Sequence, residues 1–166
     1  STEANAVLAN AAGKKIGSAG RRLPGSAAVA VAAWSFTDDD FVRDGHGHLL
    51  HARIDEPGML IARLSQAGAD VSHIDPKRMI RDAFEPGDTW FVTGDIFEVD
   101  AVGDFWFVDR KPLMVMTRMG AVASTRVEDA LYGCPSVALC IAAGLPEGDH
   151  EVPIAAIQLH PAASLD

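Results

Sequence analysis

The sequence predicts a mixed α/β (α+β) chain, in which a largely antiparallel β region precedes a small α+β unit. Short stretches of alternating apolar and polar residues fill most of the first hundred positions, and turns rich in Gly, Pro and Asp separate them. Helical patterns are confined to two short segments, 75–84 and 124–135. Such an order favours a small barrel or sandwich over a doubly wound sheet.

The predicted elements of the first part are strands joined by tight turns. An Asp-Gly turn within 43–47 joins two strands of a hairpin. Asp75 suits the N-cap of the first helical segment, and Pro76 suits its first position. In chain order we expect strands and a hairpin over 26–54, a strand over 58–65, a polar loop over 66–75, the helix over 75–84, a turn at 86–88 and a hairpin over 90–110 connected through 100–104.

The second part begins near residues 109–112, where the pattern changes to β-α-β-β. Thr125 and Glu128 stand at the spacing of a capping box at the start of the helix. We expect a strand and turn over 111–121, the helix, and two buried strands over 136–145 and 152–160, and we divide the chain into domains 1–109 and 110–166.

Composition and charge exclude several classes of protein. With 48% hydrophobic and 22% charged residues, the 166-residue chain can bury a core and is not a disordered segment. The net charge of -9 disfavours binding to nucleic acid or to an anionic membrane, and the only local basic patch is formed by Lys14–Lys15 and Arg21–Arg22. The longest apolar run, 27–34, is too short to cross a bilayer, and the start lacks a signal-peptide pattern. We therefore expect a soluble cytoplasmic protein.

Asp95 and Arg110 are the polar candidates within the aromatic hairpin 90–110. Asp95 follows a Gly at a predicted strand end, where its carboxylate could accept two hydrogen bonds from a vicinal diol such as ribose. The stretch 93–95 can equally form an Asx-type turn. Arg110 can pair with a neighbouring Asp or present its guanidinium to a phosphate or carboxylate. The residues alone leave these alternatives open.

No catalytic residue can be assigned from local patterns. His46, His48 and His51 suggest a metal site, but the third would face away from the first two, and no carboxylate or thiolate accompanies them, so an exposed hairpin is favoured. Residues 13–17 lack the spacing of a phosphate-binding P-loop. The apolar setting of the two cysteines, Cys134 and Cys140, is typical of buried thiols rather than of a disulfide.

Several stretches taken together resemble the adenylate-forming enzymes. They occur in the order and approximate spacing of that family and are most similar to its very-long-chain acyl-CoA synthetase and fatty-acid-transport-protein branch. The resemblance covers almost the entire chain and is most specific over 86–110. The stretches are STE at 1–3, VRDGHGHLL at 42–50, EPGMLIARLSQ at 56–66, DAFEPGDTWFVTGDIFEVDAVGDFWFVDR at 82–110 and STRVEDAL at 124–131.

The resemblance implies a fold for each part of the chain. Residues 1–109 would be the last β subdomain of a large AMP-binding domain, with strands arranged as a distorted barrel. Residues 110–166 would be the beginning of a mobile C-terminal lid. Asp109, Lys111 and Pro112 would form the hinge between them.

The resemblance also implies a reaction and its ligands. Asp95 would hold the ribose hydroxyls of ATP, Arg110 would meet the nucleotide, Thr2 would touch phosphate and Glu3 would help to hold Mg²⁺. A fatty carboxylate attacks the α-phosphate to give acyl-adenylate and pyrophosphate, and coenzyme A thiolate then displaces AMP after the lid rotates. Further expected partners are the rest of the same enzyme or a fused domain. The resemblance leaves room for peripheral membrane contact through segments outside this sequence.

The sequence does not contain two motifs of the family, and it carries an altered form of the lid motif. It begins with Ser1 rather than Met, and the family's phosphate-binding loop and catalytic Lys would lie outside it, so we expect a piece of a larger protein that forms no adenylate alone. Lys111–Pro112 and 118–121 stand where relatives carry Gly-Asp and KGEN, which would restrict or relocate the lid motion. Two alternatives therefore remain: a ligase that loads a carrier protein, and a degenerate nucleotide- or lipid-binding or scaffold member without turnover.

Overall fold

The structure of the chain, a computed structural model, describes residues 4–11, 13–64 and 74–161. It forms two compact units, Ser1–Phe107 and Val108–Asp166, and the division falls within one strand. The strands up to and including that one are β1 (Leu8–Ala9), β2 (Arg21–Arg22), β3 (Val29–Ser35), β4 (Asp40–Phe41), β5 (Gly58–Arg63), β6 (Met79–Arg81), β7 (Thr89–Val99) and β8 (Phe105–Arg110).

Six strands form the main sheet. They follow the order β4-β3-β5-β7-β6, and β8 also pairs with β7. Strand β5 is central and buried on both faces, because successive side chains of a strand point to opposite sides. On one face Leu60 packs with Val31 and Phe97, and Ala62 belongs to a neighbouring cluster with Phe91. The sheet therefore places β7 against the most buried strand of the first unit.

The main sheet is open in the part of the chain that the structure describes. Its outer strands β4 and β6 are two and three residues long, and they do not pair with each other. A barrel closes only when its first and last strands share a continuous ladder of hydrogen bonds. The expected antiparallel β subdomain is present, but the distorted barrel is not observed over the described ranges.

The segment 75–84 is not the short helix that its pattern predicts. It forms one 3-10 turn, Pro76–Arg78, followed by β6, which pairs with the start of β7 and sets Ile80 opposite Trp90. The predicted N-cap is confirmed, since the Asp75 carboxylate accepts a backbone N–H within the turn at 2.9 Å. Pairing with the free edge of β7 overrides the weak local preference for helix.

The predicted hairpin within 26–54 forms only in part. Its turn is confirmed, because the Gly47 N–H donates to the Asp44 carbonyl oxygen at 3.1 Å. The returning segment makes only isolated bridges, since its N–H groups donate to three separate neighbours. These bonds are Leu49 to Ala83, Leu50 to Val42 and Ala52 to Val31. Most of the predicted polar loop 66–75 lies outside the described residues.

Over residues 108–161, the second unit contains two hairpins and one helix. Strands β9 (Met114–Thr117) and β10 (Gly120–Ala123) pair, as do β11 (Val137–Glu147) and β12 (His150–Leu159), and helix α1 (Ser124–Tyr132) packs on β11. The predicted helix and the two strands after it are confirmed, whereas the order is β-β-α-β-β, because Gly120–Ala123 adds a second strand before the helix.

The two long strands of the second unit are not fully buried, contrary to the prediction. Cys140 and Ala142 of β11 are buried, and their N–H groups donate to Tyr132 and Glu128 of α1. The opposite face is apolar but exposed, because no described element of this unit covers it. Its large members are Leu139, Ile141, Leu145, Val152 and Ile154. Cys140 is a buried free thiol as expected, whereas Cys134 is exposed because it follows the end of the helix.

Helix α1 does not begin with the predicted capping box. Its N-cap is Ala123, the Thr125 hydroxyl donates to the Val108 carbonyl oxygen at 2.6 Å, and Glu128 accepts the Ala142 N–H at 2.9 Å. The Asp109 carboxylate takes the place of the local cap. A tertiary acceptor has therefore replaced the reciprocal side-chain bonds of the motif.

Candidate functional site

The stretch 93–95 forms a bulge within β7 and does not end a strand as expected. Ile61 pairs with Val92 and Met59 pairs with Ile96, so β7 advances four residues while β5 advances two. The extra residues bend the strand and turn its side chains away from the regular alternation. Gly94 has φ +84°, a conformation that a residue with a Cβ adopts at a cost.

The Thr93 side chain fastens this bulge to the neighbouring strand. Its hydroxyl donates to the Leu60 carbonyl oxygen at 2.7 Å, and its oxygen accepts the Asp95 N–H at 3.1 Å. Leu60 is the residue of β5 that the register omits, so its carbonyl oxygen would otherwise lack a ladder partner. The Thr93 hydroxyl thus holds the turn to β5.

Arg78 supports the bulge from the other edge of β7. Its guanidinium donates to the carbonyl oxygens of Val92 at 3.0 Å and Thr93 at 2.6 Å, and it lies 4.4 Å from the centre of the Phe91 ring. Sequence reasoning missed this residue. No local pattern could have revealed it, because its partners lie 14 and 15 positions away.

Asp95 lines a cleft of about 430 Å³ whose walls are mostly apolar. Thr93 is the other polar lining residue, and Leu60 and Phe97 contribute to the walls. A mostly apolar cleft of this size with few polar groups is typical of a small-molecule site. The half-buried carboxylate of Asp95 has the chemistry to accept hydrogen bonds from two adjacent hydroxyl groups.

In the second unit, Asp109 is an anchor for helix α1. Its side chain is buried, and one oxygen accepts the Ser124 N–H at 2.6 Å and the Ser124 hydroxyl at 2.8 Å. The other oxygen accepts the Arg110 N–H at 2.8 Å. A carboxylate at a helix N-terminus is favoured by the helix dipole as well as by these bonds.

Arg110 and the predicted hinge residues follow directly. Arg110 is exposed and ends β8, and Lys111–Leu113 form a single 3-10 turn that contains Pro112. The tip of the β9–β10 hairpin, where the family motif is altered, carries the fully exposed Met119. Asp95 belongs to the first unit and Arg110 to the second, so their joint action and the hinge stay predictions.

Comparison with known proteins supports the resemblance. No protein-family model matches the chain. The medium/long-chain-fatty-acid–CoA ligase FadD6 of Mycobacterium tuberculosis is 31% identical over 155 residues, which cover 87% of this chain and 26% of that protein. The human long-chain fatty acid transport protein 3 is 26% identical over 174 residues and covers 99% of the chain, again over 26% of its own length.

Solved structures match the fold. The O-succinylbenzoate coenzyme A synthetase MenE of Bacillus subtilis, in complex with AMP, aligns with TM-score 0.61 and 23% identity over 91% of this chain and 27% of that one. MatB of Rhodopseudomonas palustris, with ATP bound, aligns with TM-score 0.66 and 19% identity over 90% of this chain and 27% of that one. The chain belongs to the adenylate-forming superfamily.

The chain spans about a quarter of the length of the adenylate-forming relatives that it matches. Within the described ranges, no helix is long and apolar enough to cross a membrane.

Two of the residues that the adenylate-forming resemblance singles out, Thr2 and Glu3, lie outside the described residues. Across 4–11, 13–64 and 74–161, no group of three or more His, Cys, Asp or Glu side chains is placed to hold a metal ion. Of the three histidines, His51 stacks on Phe84 with 4.1 Å between the ring centres.

Proposed function

We propose that this chain is part of an ATP-dependent fatty acyl-CoA ligase, which forms an acyl-adenylate and then an acyl-CoA thioester. In this proposal 1–109 is the last β subdomain of the large AMP-binding domain, and 110–166 begins the C-terminal lid. The sequence similarity to a fatty-acid–CoA ligase and to fatty acid transport proteins supports the substrate class. The proposed location is the cytoplasm.

The observation that carries the proposal is the placement of Asp95. The bulge, the Thr93 hydroxyl and Arg78 together fix its backbone at the wall of the 430 Å³ cleft. A carboxylate on a fixed backbone can accept hydrogen bonds from both hydroxyls of a ribose at a lower ordering cost than one on a mobile loop. ATP with Mg²⁺ would supply the reactive phosphate, and residues of this chain would position its nucleoside.

The other residues have supporting functions in the proposal. Arg110, exposed at the end of β8, would contribute a guanidinium to the nucleotide, and Thr2 and Glu3 would serve phosphate and Mg²⁺. Asp109, Lys111 and Pro112 would connect the two units. Coenzyme A and the fatty acid would be bound largely by parts of the enzyme outside this chain.

Asp95→Ala in the longer enzyme tests the proposal. Loss of two hydrogen bonds to a charged group, each contributing about 1.5–3 kcal/mol, should raise the KM for ATP at least tenfold. The matched control is Asp129→Ala, an exposed carboxylate on α1, which should leave the KM unchanged. Pyrophosphate release with a fatty acid is the measurement. An unchanged KM for ATP in the Asp95 variant would contradict the nucleotide site.

The 166-residue chain alone should release no pyrophosphate from ATP and a fatty acid, because the phosphate loop and catalytic Lys expected for the family are not in it. The altered tip at Met119 favours a second candidate, a member that binds nucleotide without completing thioester formation. Adenylate formation without a thioester in the longer protein would favour carrier loading. Nucleotide binding without adenylate would favour the degenerate reading.

A further inference from the structure

The loop between β1 and β2 ends in a tight turn that exposes a large apolar side chain. The Ser18 N–H donates to the Lys15 carbonyl oxygen at 3.1 Å, and Gly17 has φ +88°, as the third residue of a type II turn requires. The Asn10 side chain donates to the same carbonyl oxygen at 2.6 Å. Ile16 occupies the second position of the turn and is 95% exposed. Its exposure is therefore imposed by a hydrogen-bonded turn.

Cationic residues line a cleft that shares Lys15 with this turn. A cleft of about 550 Å³ beside it is lined by Lys14, Lys15, Arg21 and Arg22, which come from the loop and from β2. The Arg22 guanidinium donates to the Ser26 carbonyl oxygen, a bond that leaves its positive charge in place. These four residues form two basic pairs in a chain of net charge -9. The turn therefore concentrates positive charge in one place.

Two acidic residues beside these cations are already engaged in ion pairs. The Lys15 ammonium contacts Asp100 at 2.5 Å and Asp104 at 2.7 Å, and Arg21 contacts Asp104 at 2.9 Å. The hydrogen bond from Lys15 holds the pKa of both carboxyl groups below their usual range, and Asp100 in turn raises the pKa of Lys15. Two acids thus offset two of the four cations. The charges of Lys14 and Arg22 remain available to an outside partner.

Apolar side chains flank the same cleft. Val102 is 57% exposed and Leu23 is 37% exposed, and both line it. A soluble phosphate ligand would use the cations but would leave Ile16, which projects outward from its turn, in water. A surface that presents negative charge above an apolar layer satisfies both kinds of side chain at once.

We propose that Lys14, Ile16, Arg22, Leu23 and Val102 form a membrane-docking patch, which binds a lipid bilayer that carries anionic headgroups. In this arrangement Lys14 and Arg22 contact the headgroups, and Ile16 enters the boundary between headgroups and acyl chains. Charge complementarity selects the anionic surface, and burial of apolar area holds the turn against it. The inference is independent of the proposed ligase activity, since it uses no residue of the nucleotide cleft.

Vesicle co-sedimentation of the 166-residue chain tests the patch. Vesicles of phosphatidylcholine mixed with phosphatidylserine should bind the chain, vesicles of phosphatidylcholine alone should not, and added salt should weaken the binding. Lys14→Gln combined with Arg22→Gln should lower the affinity about 25-fold, because each cation near an anionic surface contributes about fivefold. Ile16→Ser should lower it roughly tenfold through lost apolar burial.

Matched variants keep the test specific. Arg53→Gln combined with Lys77→Gln removes two exposed cations outside the patch. Ile141→Ser removes an exposed Ile of the second unit. Neither control should change the affinity for vesicles. All substituted side chains are exposed, and circular dichroism should confirm that each variant folds. Absence of binding to the mixed vesicles would overturn the proposal. So would an equal loss in the control variants, or pyrophosphate binding that depends on Lys14 and Arg22 without vesicle binding.

Discussion

Asp88 shows how one buried carboxylate holds a loop of the first unit. Its oxygens accept the Ala83 N–H at 2.6 Å, the Phe84 N–H at 3.1 Å and the Trp90 indole N–H at 2.7 Å. Burial alone would raise its pKa, but these donors outweigh burial, and the net pKa is lowered. The loop before β7 is thus organised around an ionised acid.

Asp88→Asn should lower the free energy of unfolding by about 2–3 kcal/mol, because the amide removes the charge and turns one acceptor into a donor that faces other donors. Urea denaturation followed by tryptophan fluorescence is suitable, since Trp34, Trp90 and Trp106 all lie in the first unit. Asp38→Asn is the control, because Asp38 is exposed, and it should change the free energy by less than about 0.5 kcal/mol. Equal effects of the two substitutions would contradict this account of Asp88.

For the candidate site, the sequence offers the predicted residue Asp95 but none of the residues that support it. The sequence indicated Asp95 from its position after a Gly in an aromatic hairpin. The residues that fix it, Thr93 through Leu60 and Arg78 through two carbonyl oxygens, are visible only in the fold. Side chain–backbone bonds of this kind depend on which strands become neighbours.

At the scale of elements, α1 begins where it does because of a distant acid. Asp109 binds the first N–H of the helix and the Ser124 hydroxyl, whereas the residues of the predicted capping box bond elsewhere. The sequence pattern located the helix correctly, since its periodicity is local. It assigned the wrong cap, because the true acceptor lies 15 positions upstream.

Asp109→Ala should therefore destabilise the second unit by about 2–4 kcal/mol, through loss of the helix cap and of the buried hydroxyl partner. Hydrogen exchange measured by mass spectrometry should show faster exchange of peptides from 124–132. Asp129→Ala on the same helix is the control and should be neutral or slightly stabilising, since an acid near a helix C-terminus is unfavourable. Unchanged exchange of α1 in the Asp109 variant would show that the cap contributes little.

For the whole molecule, the net charge conceals local differences. The chain carries -9 overall, yet the β1–β2 turn gathers four cations against two engaged acids. Net charge sets long-range repulsion from an anionic surface, whereas docking depends on charges within a Debye length of about 10 Å. A negatively charged chain can therefore present a basic docking patch.

Three acids of the first unit with lowered pKa values predict how the stability of that unit depends on pH. Asp88, Asp100 and Asp104 have lowered pKa values, so their contribution is present above the unfolded pKa of about 4 and is lost as pH falls through the folded values. Lys15 has a raised pKa, so its contribution is present below about pH 10 and is lost as pH rises above that. Stability should be flat between about pH 5 and 9 and fall on acidification.

Urea denaturation at a series of pH values, read by tryptophan fluorescence, measures this profile. Lys15→Met is the diagnostic variant: without the ammonium, the pKa values of Asp100 and Asp104 should return towards normal, and the loss of stability in acid should become shallower. If the free energy of unfolding increased as the pH fell from 5 to 3, the lowered pKa values of these acids would not govern stability.

The sequence alone was sufficient to indicate the strand-rich first part and the helix near residue 124. These features follow from side-chain period and turn chemistry, which act over a few residues. Only the tertiary structure decided that 93–95 is a bulge, that Asp109 caps α1, that 79–81 is a strand and that one face of β11–β12 stays exposed. Each of these depends on partner groups far away in the chain, such as Leu60, which lies 33 positions from Thr93. Burial and hydrogen-bond partners are set only when such distant segments meet.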